Sequence, residues 1–230
     1  MENPVQNVSF PSGGGEAFGY LATPEAGSGP GVIVIQEWWG LTTHIADIAD
    51  RLAKAGFVAL APDLYGGPTT HDAAEAMEMA KKLPPARAAQ ALAGAVDHLL
   101  ALPQVSSSTA GVVGFCMGGG FVLSLAGLQG GRVSAAVPFY GLPHDLQVPA
   151  GLQCAVQGHF GEQDQMVPLP NVRKFFDRLS TGTTGPVELH VYPAGHAFVN
   201  DENLIGTHDP DSAALAWDRA VSFLREHVRG

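Results

Sequence analysis

The chain has 230 residues, 46% hydrophobic and only 15% charged, a balance that suits a large folded core and excludes a disordered chain or a disulfide-stapled miniprotein. Twelve Lys and Arg against 22 Asp and Glu leave a formal net charge of −10, so phosphate backbones and anionic membrane surfaces repel it, and neither nucleic acid nor membrane is an expected partner. Two cysteines, and a start without a basic stretch followed by an apolar one, lead us to expect a reducing, cytoplasmic setting.

The chain opens on an expected antiparallel pair, Val5 to Phe10 and Glu16 to Leu21, joined by the Gly13-Gly14-Gly15 turn. The wholly apolar run Gly31 to Ile35 reads as a buried strand. The segment Thr43 to Ala55 then places Ile45, Ile48, Ala49 and Leu52 at helical spacing until Gly56 ends it. Phe57 to Ala61 is a second buried strand, closed by Pro62. Two alanine-rich segments, about Asp72 to Leu83 and Pro85 to Leu102, are helices with a proline boundary between them. Ala110 to Phe115 is a third strand and Met117 to Leu128 a helix. Strands follow at Ala135 to Tyr140, Gln153 to Gly158 and Val187 to Tyr192, with helices at Asn171 to Ser180 and Asp211 to Val228.

Leu99 to Gly131 contains no Asp, Glu, Lys or Arg and has the length of a membrane span. Pro103, the Ser106-Ser107-Ser108-Thr109 run and Gly118-Gly119-Gly120 interrupt it, reading as a turn, a short strand and a second turn. Apolar strands alternating with amphipathic helices predict an α/β fold, with a mainly parallel sheet covered by helices on both faces. No repeat or long linker interrupts the pattern, so residues 1–230 read as one domain. In such sheets ligands gather at the carboxyl ends of the strands.

Gly114-Phe115-Cys116-Met117-Gly118 lies between an apolar strand and a helix and has the form of a nucleophile elbow, with Cys in place of Ser. A nucleophile on so sharp a turn has a strained backbone, and side chains at Gly114 and Gly118 would collide with the adjoining strand and helix. A helix N-terminus under Cys116 favours thiolate over thiol. The plainer reading is a structural cysteine in a glycine-rich turn. A nucleophile needs a base, and the base an orienting acid, in the chain order nucleophile, acid, base. Asp164, in the loop after the strand Gln153 to Gly158, is the candidate acid, with Glu162 as the alternative. His196, in Pro193-Ala194-Gly195-His196 after the last strand, is the candidate base. For the oxyanion hole, the Met117 amide pairs with one from the loop Gln36-Glu37-Trp38-Trp39-Gly40, for which Trp38 is the candidate. Glu37, between a buried strand and two tryptophans, is either an ordinary exposed carboxylate or one held by a polar partner.

These residues carry a family resemblance. Ile35-Gln36-Glu37-Trp38-Trp39-Gly40, Ala61-Pro62-Asp63-Leu64-Tyr65, the Cys116 elbow, Phe139-Tyr140-Gly141, Gly161-Glu162-Gln163-Asp164 and Ala194-Gly195-His196-Ala197-Phe198 together resemble the dienelactone hydrolases, or carboxymethylenebutenolidases, of the α/β-hydrolase superfamily. The resemblance spans nearly the whole chain. It implies the α/β-hydrolase fold, Cys116 as nucleophile with Asp164 and His196 as partners, and Glu37 as the group that holds the resting thiol and helps deprotonate it when substrate binds. It also exposes a departure. Members that act on dienelactone grip its carboxylate with two arginines, one of them shortly after the catalytic His; here Asn200 stands in that place, followed by Asp201, and Lys81, Lys82 and Arg87 give no clear match to the other. Without that clamp a tightly bound anionic lactone is not expected.

The function expected is hydrolysis of small carboxylic esters or lactones through a thioester on Cys116, with no metal and no cofactor. Trp39, Tyr65, Tyr140, Phe198 and Asn200 are candidate substrate contacts, the aromatics equally readable as core. Cys154 reads as a buried free thiol. The competing reading is a protein of the same fold that binds an apolar ligand or senses oxidants through Cys116, for which an acid and base pair has no use. Zinc hydrolysis and dinucleotide binding fail, because neither His-Glu-x-x-His nor G-x-G-x-x-G occurs.

Overall fold

The computed structural model describes residues 3–229. In chain order its elements are β1 (Val8–Ser12), β2 (Gly15–Ala22), β3 (Gly29–Ile35), α1 (Thr43–Lys54), β4 (Val58–Pro62), α2 (Ala73–Lys82), α3 (Pro85–Ala101) and β5 (Val105–Phe115). There follow α4 (Met117–Gln129), β6 (Val133–Phe139), β7 (Ala155–Gly161), α5 (Leu169–Gly182), β8 (Val187–Tyr192) and α6 (Pro210–His227). The strands form an eight-stranded, mostly parallel sheet in the order β1-β2-β4-β3-β5-β6-β7-β8. Every residue of β4 and of β7 is buried. Since successive strand residues point to opposite faces, both faces of these strands are covered, as the unbroken apolar runs require.

The chain divides into two compact units, one ending at Ala110 and one running from Gly111 to Val228. In the first, β1 pairs with β2 and β2 with β4, both antiparallel, while β3 and β4 run parallel with Gly31 opposite Val58. Helix α1 buries Ile45, Ile48, Ala49 and Leu52, the stripe its spacing predicts. Asp72 caps α2 by accepting the Glu75 amide at 2.9 Å.

Two expectations need correction. The third strand does not begin at Ala110: β5 starts at Val105 and takes in Ser106 to Thr109. The Ser107 hydroxyl accepts the Gly31 amide at 3.0 Å and donates to the Thr109 carbonyl at 2.7 Å, so polar side chains take up sheet positions by satisfying backbone groups. Gly118 to Gly120 is not a turn but the first part of α4. Glycine is a poor helix former, yet a Cβ at Gly119 would lie 2.6 Å from the Phe139 carbonyl oxygen, so close approach to β6 outweighs propensity. Among the described residues no helix is long and apolar enough to cross a membrane; the uncharged stretch is shared by the end of α3, β5 and α4.

In the second unit β6, β7 and β8 are parallel neighbours, with Phe139 opposite His159, His159 opposite His190 and Gly161 opposite Tyr192. Because β7 and β8 end in register, the loops that leave them start side by side. Those loops hold Asp164 and His196.

Candidate active site

Cys116 is the residue between β5 and α4, and its backbone has φ 53° and ψ −116°. This strained turn is fixed from two sides. The Cys116 amide donates to the Phe139 carbonyl at 3.1 Å. A Cβ at Gly114 would come within 2.5 Å of the Gly118 carbonyl oxygen, which is the collision expected for that glycine.

The three residues expected to work together are brought together. His196 Nδ1 lies 2.8 Å from Asp164 Oδ2, and His196 Nε2 lies 3.1 Å from Cys116 Sγ. Of the two candidate acids it is therefore Asp164 that faces the ring, while Glu162 is exposed. The other carboxylate oxygen of Asp164 accepts the Met166 amide at 2.7 Å and the Val167 amide at 2.8 Å. Both oxygens are thus committed, and the carboxylate cannot turn away from the ring. Burial disfavours a charged His196, but hydrogen bonds to Asp164 and Cys116, and then the charges of those two groups, outweigh it and raise the pKa to about 10. At neutral pH this favours the protonated ring between Asp164 and Cys116. The arrangement can present sulfur to an electrophile and hold a proton next to it.

Aromatic packing supports the ring. Tyr140 meets His196 edge-on with centroids 5.2 Å apart, and Phe198 meets Tyr140 in the same way at 5.5 Å. Tyr140 and Phe198 are both fully buried. Cys154 is free and buried, and burial pushes its thiol up to about 12, so it is the unreactive thiol of the two. Among the described residues no group of three or more His, Cys, Asp or Glu is placed to hold a metal ion.

With this geometry in view, the relatives are informative. Residues 18–228 match the model of the "Dienelactone hydrolase family". The chain belongs to the dienelactone hydrolase family. It is 35% identical over 231 residues to the Aquifex pyrophilus protein named "Protein usf", covering 97% of this chain and 99% of that one. It is 31% identical over 234 residues to a provisionally named carboxymethylenebutenolidase of Aquifex aeolicus, with the same coverage of each. Among solved structures, a provisionally named dienelactone hydrolase from Klebsiella pneumoniae superposes with a TM-score of 0.85 at 28% identity, covering 96% of this chain and 97% of that one. The α/β-hydrolase architecture expected from the sequence is the one found, and by family this dienelactone hydrolase relative is a carboxylic ester or lactone hydrolase.

Of the remaining predicted residues of this family member, Glu37, Trp38, Trp39 and Tyr65 lie in its first unit. Glu37 is 1% exposed, which removes the ordinary exposed carboxylate as a reading. The loop that carries it after β3 is braced by the segment after β4. The Leu64 amide donates to Gln36 Oε1 at 3.1 Å, the Tyr65 hydroxyl to the Trp38 carbonyl at 3.0 Å, and the Thr70 amide to the Trp39 carbonyl at 3.0 Å. Trp39 is buried with its ring edge-on to Trp38 at 5.0 Å. Asn200 is also buried, in the second unit, and its side chain accepts the Glu202 amide at 3.0 Å.

Sequence reasoning passed over one hydrogen-bonded network, centred on the buried His159, in the second unit of this dienelactone hydrolase family chain. Arg219 Nη1 donates to the Tyr192 hydroxyl at 3.2 Å, which lies 2.8 Å from His159 Nδ1; His159 Nε2 lies 3.0 Å from Gln157 Oε1, and Gln157 Nε2 donates to Glu188 at 2.7 Å. A guanidinium only donates and a carboxylate only accepts, so every bond between them points the same way and His159 carries its proton on Nε2. Burial, and then the charges of His190 and Arg219, hold the His159 pKa well below its ordinary value, so this ring stays neutral. The network ties the end of β7 to Tyr192, four residues before His196. His159, Tyr192 and Arg219 share no local motif; only the strand register, His159 opposite His190 and Gly161 opposite Tyr192, brings them together.

Proposed function

We propose that this dienelactone hydrolase family member cleaves small, neutral carboxylic esters or lactones through a thioester acyl-enzyme on Cys116. The observation that carries the reading is the single ring of His196, bonded to Asp164 on one side and to Cys116 Sγ on the other. In the acylation step the thiolate attacks the carbonyl carbon, and the Met117 amide at the head of α4 takes the oxyanion. Trp38, in the loop after β3, is the candidate second donor read from the sequence, and the family resemblance implies Glu37 as the keeper of the resting thiol. The carbon–oxygen bond then breaks as His196 passes its proton to the departing alcohol oxygen. The neutral ring next removes a proton from water, whose oxygen attacks the thioester. The carbon–sulfur bond breaks, releasing the acid and restoring the thiolate and imidazolium.

Neutral substrates are preferred over anionic ones because Asn200 and Asp201 stand where the family's second arginine would fall, leaving no bidentate grip for a carboxylate. The test is stopped-flow turnover of para-nitrophenyl acetate and a neutral lactone beside an anionic dienelactone under reducing conditions. We expect a burst of about one nitrophenolate per chain and a mass increase of one acyl group on the Cys116 peptide. A steady approach without a burst, with no acylated Cys116 peptide in a quenched sample, would remove the thioester from the reaction.

A second expectation follows from the His196 pKa. The imidazolium is needed only where the leaving group must be protonated. For an alkyl ester, kcat/KM should hold up to about pH 9 and fall by about tenfold per unit once the ring loses its proton near pH 10. The nitrophenyl ester, whose leaving group departs as an anion, should lack that limb. Identical high-pH limbs for the two esters would count against His196 as the acid.

A further inference from the structure

The loop that follows His196 is a closed unit of its own. From Ala197 to Gly206 it turns three times, through bonds from the Asn200 amide to the Ala197 carbonyl at 3.0 Å, from Asn203 to Asn200 at 3.2 Å, and from Gly206 to Asn203 at 3.1 Å. It then returns alongside its own start. The Asp209 amide donates to the Phe198 carbonyl at 3.0 Å, and His208 Nδ1 lies 3.0 Å from the same oxygen. The returning arm of this neck is anchored by Asp209, whose carboxylate caps α6 by accepting the Ser212 amide at 2.8 Å. A compact loop with its ends bonded together is an Ω-loop, and one end of its neck is His196.

One side chain of the returning segment reaches the histidine itself. The Thr207 hydroxyl donates to the His196 main-chain carbonyl, eleven residues back in the chain. The same side chain walls the neighbouring position: a Cβ at Gly195 would lie 3.0 Å from the Thr207 methyl. The backbone there depends on its surroundings to hold its path, with the unrestricted Gly195 before His196 and Ala197 strained at a positive φ of 55° after it. A ring that must meet Asp164 at 2.8 Å and Cys116 at 3.1 Å on opposite nitrogens tolerates little rotation of the backbone that carries it.

We propose that Thr207 is a positioning residue for His196, its hydroxyl fixing the main-chain carbonyl from which the ring spans Asp164 and Cys116. The inference rests on the triad reading given above. Thr207 touches no reacting atom; it acts through the histidine. Misplacement of a catalytic group by about an ångström is enough to cost on the order of a hundredfold.

The test compares wild type, Thr207→Val, which keeps the shape and loses the donor, and Thr207→Ser, which keeps the donor. Thr207→Ala serves as a second donor-free variant should valine not fold. In each we would measure kcat and KM for an alkyl acetate and titrate the His196 ring by NMR. Loss of the hydroxyl should lower kcat by about 10- to 100-fold with KM changed less than about threefold, and should bring the His196 titration down from near 10 as its two partners drift out of reach. Thr207→Ser should restore both. A donor-free variant with wild-type kcat and an unmoved His196 titration would overturn the proposal. So would parallel losses in the valine and serine variants, which mean packing rather than the bond. The ring titration decides this question even where the thioester reading fails, because that failure is read separately, as turnover surviving in Cys116→Ala.

Discussion

Cys116→Ala is expected to fold as the wild type does and to hydrolyse neutral aryl esters at least about 10⁴-fold more slowly. The expectation has a geometric basis. Sγ is 3.1 Å from His196 Nε2 and sits at the head of α4, and nothing else in the proposed chemistry supplies a nucleophile. The structural loss is small, since the strained turn is held by the Cys116 amide on Phe139 and by the room that Gly114 leaves, neither of which needs the sulfur. Stopped-flow traces should lose the burst as well as the steady rate, while the thermal midpoint stays within a few degrees. Cys154 offers no bypass, being buried with its thiol pushed up to about 12. Turnover within tenfold of wild type would refute the nucleophile. A protein inactive even as wild type, with Cys116 readily oxidised by peroxide, would favour the thiol-sensing reading.

The meeting of Cys116, Asp164 and His196 was legible because each sits at a point where local sequence is over-constrained. Gly114 is required by contact with the Gly118 carbonyl, Asp164 lies directly after a fully buried strand, and His196 follows the last strand of the sheet. Local sequence could not choose between Glu162 and Asp164, which are two residues apart. What decides is that Asp164 also receives two amides from its own loop, at Met166 and Val167, which locks it toward His196. The same limit explains the late start given to β5, which leaves out Ser106 to Thr109, and the turn given to Gly118 to Gly120. Both runs carry turn-forming residues, and both are overridden by tertiary partners, Gly31 in one case and Phe139 in the other. Thr207 left no trace at all, because a hydroxyl that matters through one carbonyl eleven residues away makes no pattern.

The second large effect belongs to Asp164→Asn, and the two loop amides determine its form. They require an acceptor oxygen on the side where Asp164 Oδ1 now lies, since the Met166 and Val167 amides point at it from 2.7 and 2.8 Å. An asparagine there must therefore turn its oxygen to the loop and its NH₂ to His196. A donor facing Nδ1 makes that nitrogen an acceptor, so a neutral ring carries its proton on Nε2, toward Cys116, and cannot take one from water on that side. The supports of the raised His196 pKa also weaken, because the Asp164 hydrogen bond and charge are both lost. A folded pKa raised above its ordinary value contributes stability that is full below about pH 6.5 and lost as pH rises through about 10. The variant should accordingly lose stability at neutral pH and be much closer to wild type above pH 10. We expect kcat to fall by about 10²- to 10⁴-fold with KM little changed, and the alkyl-ester limb near pH 10 to move down. Activity within about threefold of wild type would mean that the ring keeps its working tautomer without the carboxylate, and Asp164 would then be a loop anchor and not the orienting acid.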